Sequence, residues 1–216
     1  MVFAAPTELA IFDCDGVLVD SEDLSAMALL RTASPFGLRL SAADAKSLFH
    51  GRKLSACLED IERQIGRALP VDFVDKYRTE MSAVFAAELK PIDGVKDAID
   101  AMDIPRCVAS SGPRSKIEFS LTITGLLPYF VGRIFSAYEV GSWKPEPGLF
   151  LHAAKACGTE PHACTVVEDS LPGVLAGVAA GMRVLAYIPI GDHSIFVAAG
   201  ATTFRHMQEL PELMKQ

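Results

Sequence analysis

Five short apolar runs punctuate the chain, at residues 9–12, 106–109, 133–135, 165–167 and 183–187. None alternates strictly between apolar and polar positions. That is the pattern of strands covered on both faces in a parallel sheet. Helical patterns separate most of them. Residues 95–102 precede the second run, and residues 115–124 follow it, closed by Gly125; 147–157 are closed by Gly158 and 171–180 by Gly181. Glycine just past a helix end supplies the left-handed residue that many helix caps require. Strands alternating with helices predict an α/β, doubly wound, Rossmann-like parallel-sheet core.

Residues 21–89 break that alternation and read as helices only, at 23–33, 41–49, 54–65 and 72–89. Ser41 with Asp44 three positions on has the spacing of a capping box, and Gly66 and Pro70 punctuate the last two helices. This predicts an inserted helical subdomain over residues 19–90 and a core made of residues 1–18 and 91–216. The connecting segments, 17–20 and 90–94, are not Gly/Ser-rich, so they read as short hinges rather than floppy linkers.

Composition narrows the function. The 216 residues are half apolar and carry a formal charge of −7, which excludes a mainly disordered chain and a strong cationic field. Nucleic acid and membrane are therefore not expected as partners, and a monomer or weak homodimer is. Cys14, Cys57, Cys107, Cys157 and Cys164 are odd in number and form no Cys-x-x-Cys pair, the usage of reduced thiols rather than of a disulfide framework or zinc cage. The first residues have no secretory pattern, and the apolar stretch 171–191 is broken by Pro172, Arg183 and Pro189. The expected location is the cytoplasm.

In open parallel sheets ligands bind beyond the carboxyl ends of the strands. Asp13-Cys14-Asp15-Gly16 follows the first run, Ser110-Ser111-Gly112 the second, Lys144-Pro145-Glu146-Pro147 the third and Glu168-Asp169-Ser170 the fourth. Each set alone has an ordinary reading as a turn, a helix cap or a solvated lysine. Together they bring four acids, hydroxyls and a lysine to one sheet edge, a donor set for a divalent metal and an oxyanion such as phosphate.

The ordered set Phe12-Asp13-x-Asp15-Gly16-Val17-Leu18, Ala109-Ser110-Ser111, Lys144-Pro145-x-Pro147 and Val167-Glu168-Asp169-Ser170 resembles the haloacid-dehalogenase-like hydrolase superfamily over nearly the whole chain. The helical insertion looks like its small cap, as in the phosphoglucomutase-like and phosphoglycolate-phosphatase-like branch. The resemblance implies a phosphoric monoester hydrolase in which Asp13 is the nucleophile that forms an aspartyl phosphate. Asp15 would be the general acid and then the general base. It further implies a Mg2+ cofactor held by Asp13, the Asp15 main-chain carbonyl and Asp169, with Glu168 acting through water. Ser110, Ser111 and Lys144 would bind the phosphoryl oxygens of a small phosphorylated metabolite.

Asp15 argues against a dehalogenase, because halide leaves without a proton. Mutases of this branch carry a histidine early in the first cap helix and an arginine in a cap loop, positions that fall here on Ser25 and Leu54. Hydrolysis is therefore favoured over a mutase-like isomerase, and the intact acids and lysine weigh against a catalytically silent partner-binding protein. His50-Gly51-Arg52-Lys53 reads either as a solvated basic turn or as a loop whose Arg52 and Lys53 meet a second anionic group of the substrate. The pattern around Gly51-Arg52-Lys53-Leu54, the run Trp143-Lys144-Pro145 and residues 209–213 are similar to those of phosphatases for sugar-acid phosphates such as 6-phosphogluconate. Gly173, Gly177 and Gly181, spaced by four, are expected to form a small-residue helix face packed on the sheet.

Overall fold

The computed structural model describes residues 6–49 and 52–216. Two compact units divide the chain, one formed by the residues up to Val19 together with Pro91–Gln216, the other by Asp20–Lys90.

The first unit is built on six parallel strands, β1 (Leu9–Phe12), β2 (Arg106–Ser110), β3 (Ile134–Ser136), β4 (Cys164–Glu168), β5 (Arg183–Tyr187) and β6 (Thr202–Phe204), in the order β3-β2-β1-β4-β5-β6. Alternate residues of the central strands face opposite layers. Leu9, Ile11, Cys107, Ala109, Val166 and Val184 join one buried cluster, while Ala10, Phe12, Val108, Val167 and Leu185 are buried outside it. Phe12, fully buried, meets Phe130 edge-to-face at 6.0 Å between ring centroids. Burying such a side chain contributes roughly 1.5–3 kcal/mol. With both faces covered, the strands have no solvent side, so they lack the alternation of a half-exposed sheet.

The helices in chain order are α1 (Glu22–Ala33), α2 (Ala42–Phe49), α3 (Leu54–Ile65) and α4 (Phe73–Glu88) in the second unit. The first unit carries α5 (Val95–Asp100), α6 (Arg114–Ile123), α7 (Ala137–Val140), α8 (Gly148–Cys157), α9 (Leu171–Ala179), α10 (Ser194–Ala198) and α11 (Leu210–Leu213). The second unit is all-helical. Its packed side chains include Leu29, Ile61, Phe73, Met81 and Phe85. Ser41 stands before α2 rather than within it. Its Oγ accepts the Asp44 N–H at 3.1 Å while Asp44 Oδ2 accepts the Ser41 N–H at 3.4 Å, a reciprocal cap.

Three expectations change. The sheet has six strands, not five: β6 is a three-residue edge strand whose Thr202 is exposed, so no apolar run marks it. The short helices α7, α10 and α11 are likewise too brief to carry a 3.6-residue period. The three spaced glycines do different work. A Cβ on Gly177 would come 2.7 Å from Val184, the close packing expected, whereas one on Gly173 would overlap the Glu168 carboxylate. Gly181 lies beyond α9 with φ +73° and touches nothing there. It turns the chain instead of packing it.

All five cysteines are free thiols. Among the described residues no helix is long and apolar enough to cross a membrane.

Candidate active site

The strand order runs outward from β1 in one direction and from β4 in the other, so β1 and β4 flank the point where the topology switches. Crevices open there, at the carboxyl ends of the strands. The register places Phe12 beside Val167, and the Asp13 N–H donates to the Val167 carbonyl at 2.9 Å. Asp13 and Glu168 thereby end adjacent strands. After Asp13 the chain folds back tightly: the Gly16 N–H reaches the Val19 carbonyl at 2.9 Å, and the Leu18 N–H reaches the Cys14 carbonyl at 2.9 Å. Gly16 has φ +77°, a conformation that side chains rarely adopt.

Lys144 links the two strand ends. Its Nζ donates to Asp13 Oδ1 at 2.6 Å and to Glu168 Oε1 at 2.5 Å, and it lies 5.1 Å from the centre of the Phe150 ring. The lysine is 6% exposed and Glu168 is 0% exposed, so this is a buried charge group and not the solvated lysine of its ordinary reading. Burial disfavours the ammonium form, but Asp13 and Glu168 outweigh it and hold the Lys144 pKa above that of an ordinary lysine. Burial pushes the Asp13 carboxyl up to about 7; Lys144 pulls it down, and Glu168 and Asp15 add to the rise.

Glu168 is also the hub of the loop after β4. Its Oε2 accepts the N–H groups of Asp169 and Ser170 and the Ser170 hydroxyl, at 3.0, 2.9 and 2.9 Å. Ser170 then caps α9 by accepting the Gly173 N–H at 3.2 Å. The helix cap is thus Ser170, with Glu168 holding it in place.

The loop after β2 is set in a similar way. Ser110 is buried, and its Oγ accepts the Gly112 N–H at 3.2 Å. Ser136, at the end of β3, donates its hydroxyl to the Gly112 carbonyl at 2.6 Å. Ser111 lies between them, half-buried.

Asp15 has a partner that the sequence reading missed. Lys116 Nζ, from the first turn of α6, donates to both Asp15 oxygens, at 2.9 and 2.8 Å. One signal was available: the first turn of α6 holds Arg114 and Lys116 and no acid, against the usual preference for acids at a helix start. Between the two aspartates, Cys14 is buried. Burial and its acidic neighbours push its thiol well above the ordinary value, so it is no thiolate nucleophile.

The donor set fits a hard divalent cation. Asp13, Glu168 and Asp169 offer carboxylate oxygens within 4.8 Å of one another, and oxygen-only ligation suits magnesium. Gly16 leaves the room: a Cβ there would stand 1.9 Å from Asp169 Oδ2.

The two cap residues lie in the helical unit. Arg52 donates from one guanidinium nitrogen to Asp60 Oδ2 at 2.6 Å and to the Leu48 carbonyl at 2.9 Å. Lys53 is exposed at the position before α3. His50 and Gly51 fall outside the described residues.

Known proteins resemble the chain along most of its length. The family model for haloacid dehalogenase-like hydrolases matches residues 7–181. The 6-phosphogluconate phosphatase of Escherichia coli K12 is 35% identical over 209 residues, covering 96% of this chain and 95% of its own. Hexitol phosphatase A of the same organism is 30% identical, covering 82% of this chain and 81% of its own. The crystal structure of a haloacid dehalogenase-like protein from Agrobacterium tumefaciens C58 superimposes with a TM-score of 0.83 at 35% identity, over 96% of this chain and 97% of that one. With four acids and a buried lysine gathered at the switch point of the sheet, and with such relatives along nearly its whole length, the chain belongs to the haloacid dehalogenase-like hydrolase family.

Proposed function

We propose that the protein is a magnesium-dependent phosphatase that hydrolyses a small phosphorylated sugar or sugar acid, such as 6-phosphogluconate, by way of a phosphoryl group carried on Asp13. The observation that carries the reading is the buried contact of Lys144 with both Asp13 and Glu168. It holds a carboxylate poised at a strand end, two residues before a second acid. The named activities of the two Escherichia coli relatives support the substrate class.

In the first step an Asp13 carboxylate oxygen attacks phosphorus, the bond from phosphorus to the sugar oxygen breaks, and Asp15 gives its proton to the departing alkoxide. In the second, Asp15 takes a proton from water as that water attacks phosphorus, and Asp13 leaves as a carboxylate. Splitting one hard displacement into two easier ones is the gain of covalent catalysis. Ser110 and the Ser111 N–H hold phosphoryl oxygens, and Lys144 offsets charge on the nucleophile and the phosphoryl group. Asp13, the Asp15 carbonyl and Asp169 would hold the magnesium ion, with Glu168 behind them; the bound ion offsets repulsion between the carboxylate and the phosphoryl oxygens. Arg52 and Lys53 are proposed to read a carboxylate on the substrate.

Phosphate release from a panel of sugar and sugar-acid phosphates, with magnesium and with chelator, tests the reading. Release that requires the metal and disappears in Asp13→Asn supports it. No release from any member, or release unaffected by chelator, overturns it.

A further inference from the structure

Two lysines serve the Asp-x-Asp pair, one for each acid. Lys144 belongs to the segment after β3 and reaches Asp13. Lys116 belongs to α6 and takes both oxygens of Asp15, across 101 residues of sequence. Both members of this second pair are largely buried, at 18% and 17% side-chain exposure, so the contact is no screened surface bridge of little worth.

Its geometry is built in. α6 begins directly after the Ser110–Gly112 loop, and Gly112 presents no side chain. A Cβ there would touch Lys116 Cδ at 3.5 Å and Ser110 Oγ at 3.6 Å. The lysine stem therefore crosses the bare face of Gly112, beside the hydroxyl assigned to the phosphoryl group. A cation in the first turn opposes the helix dipole, so this placement is unfavourable for α6 itself. Arg114 spends its charge on Glu139 and on the Ile134 carbonyl. Lys116 reaches the acid that has to meet the leaving group.

An aspartate carboxylate turns about two torsions. One ammonium engaging both its oxygens restrains them together. We infer that Lys116 is a positioning residue: it orients the Asp15 carboxylate for proton exchange with the leaving group and then with water. The inference rests on the role proposed for Asp15. It differs from that of a phosphate-binding lysine, which acts on affinity. Misplacing a reacting group by about 1 Å can cost about 100-fold in rate.

Lys116→Met keeps the length of the side chain and removes the charge. The expected result is a ~10- to 100-fold fall in kcat with KM little changed, and partial recovery in Lys116→Arg. Coupling supplies the decisive arm. In an Asp15→Asn background, Lys116→Met should cost almost nothing further, since it acts through Asp15. A rise in KM at constant kcat would make Lys116 a substrate-binding residue and overturn the inference. Equal losses in both backgrounds would overturn it too. Wild-type turnover in Asp15→Asn would instead sink the role of Asp15, and the inference with it.

Discussion

Gly16 and Asp169 occupy touching space: a Cβ added to Gly16 would lie 1.9 Å from Asp169 Oδ2, and the backbone there already has φ +77°. Gly16→Ala should strain the turn by about 1–2 kcal/mol and also push Asp169 out of the acidic group. Magnesium titration of the variant by calorimetry should show binding weakened by at least ~10-fold, about 1.4 kcal/mol. Wild-type metal affinity in this variant would detach Asp169 from the metal.

Glu168 holds its neighbours together more than it faces solvent. It accepts Lys144 on one oxygen and three donors on the other. Glu168→Ala would leave a buried ammonium with one acid fewer and strand those donors, a loss of roughly 3–5 kcal/mol. Gly173→Ala should act in the same direction, because the new methyl would overlap the Glu168 carboxylate. Urea unfolding measures both, and an effect below about 1 kcal/mol for Glu168→Ala would contradict this role.

The raised Asp13 sets a pH dependence. Its ordinary value is 3.8, and burial carries it to about 7. Between those values the folded metal-free protein keeps a proton that the unfolded chain releases. The contribution of Asp13 to stability is therefore greatest below about pH 4 and declines as the pH rises toward about 7. A metal ion needs the ionised form and must displace that proton below pH 7. The magnesium-induced rise in melting temperature should accordingly be larger at about pH 8 than at about pH 5.5. Equal shifts, or a larger one at the lower pH, would contradict the assignment.

In the helical unit, Asp60 grips Arg52 at 2.6 Å and also holds Arg63 at 2.6 Å. If Arg52 reads a carboxylate, Arg52→Ala should raise KM for sugar-acid phosphates by ~10-fold and leave KM for neutral sugar phosphates nearly unchanged, about 1.4 kcal/mol of lost discrimination. Steady-state kinetics on a matched pair of substrates decides it. Equal changes for both substrates would remove Arg52 from recognition.

The place where the polar residues gather was legible because each central strand is a short apolar run that stops at its polar residues. Asp13 follows Phe12 and Glu168 follows Val167, so the strand ends announce the site. What stayed hidden depended on distance. Lys116 reads as a surface lysine until the fold brings Asp15 to it from 101 residues away. Lys144, equally ordinary in sequence, became recognisable only through its neighbours in the ordered motifs. β6 was missed because an edge strand holding Thr202 and Thr203 needs little apolar surface. Gly173 and Gly177 share a spacing but not a job, since one accommodates a carboxylate and the other a valine. Spacing reports the face of a helix and not what that face meets.

The proposed mechanism stands or falls with a phosphoryl group carried on Asp13. Acid quenching during turnover, followed by peptide mapping by mass spectrometry, tests it most directly. The expected result is a phosphoryl adduct on the peptide containing Asp13, present only with substrate and magnesium, and neither adduct nor turnover in Asp13→Asn. An adduct on another residue, or Asp13→Asn turning over at the wild-type rate, would contradict it.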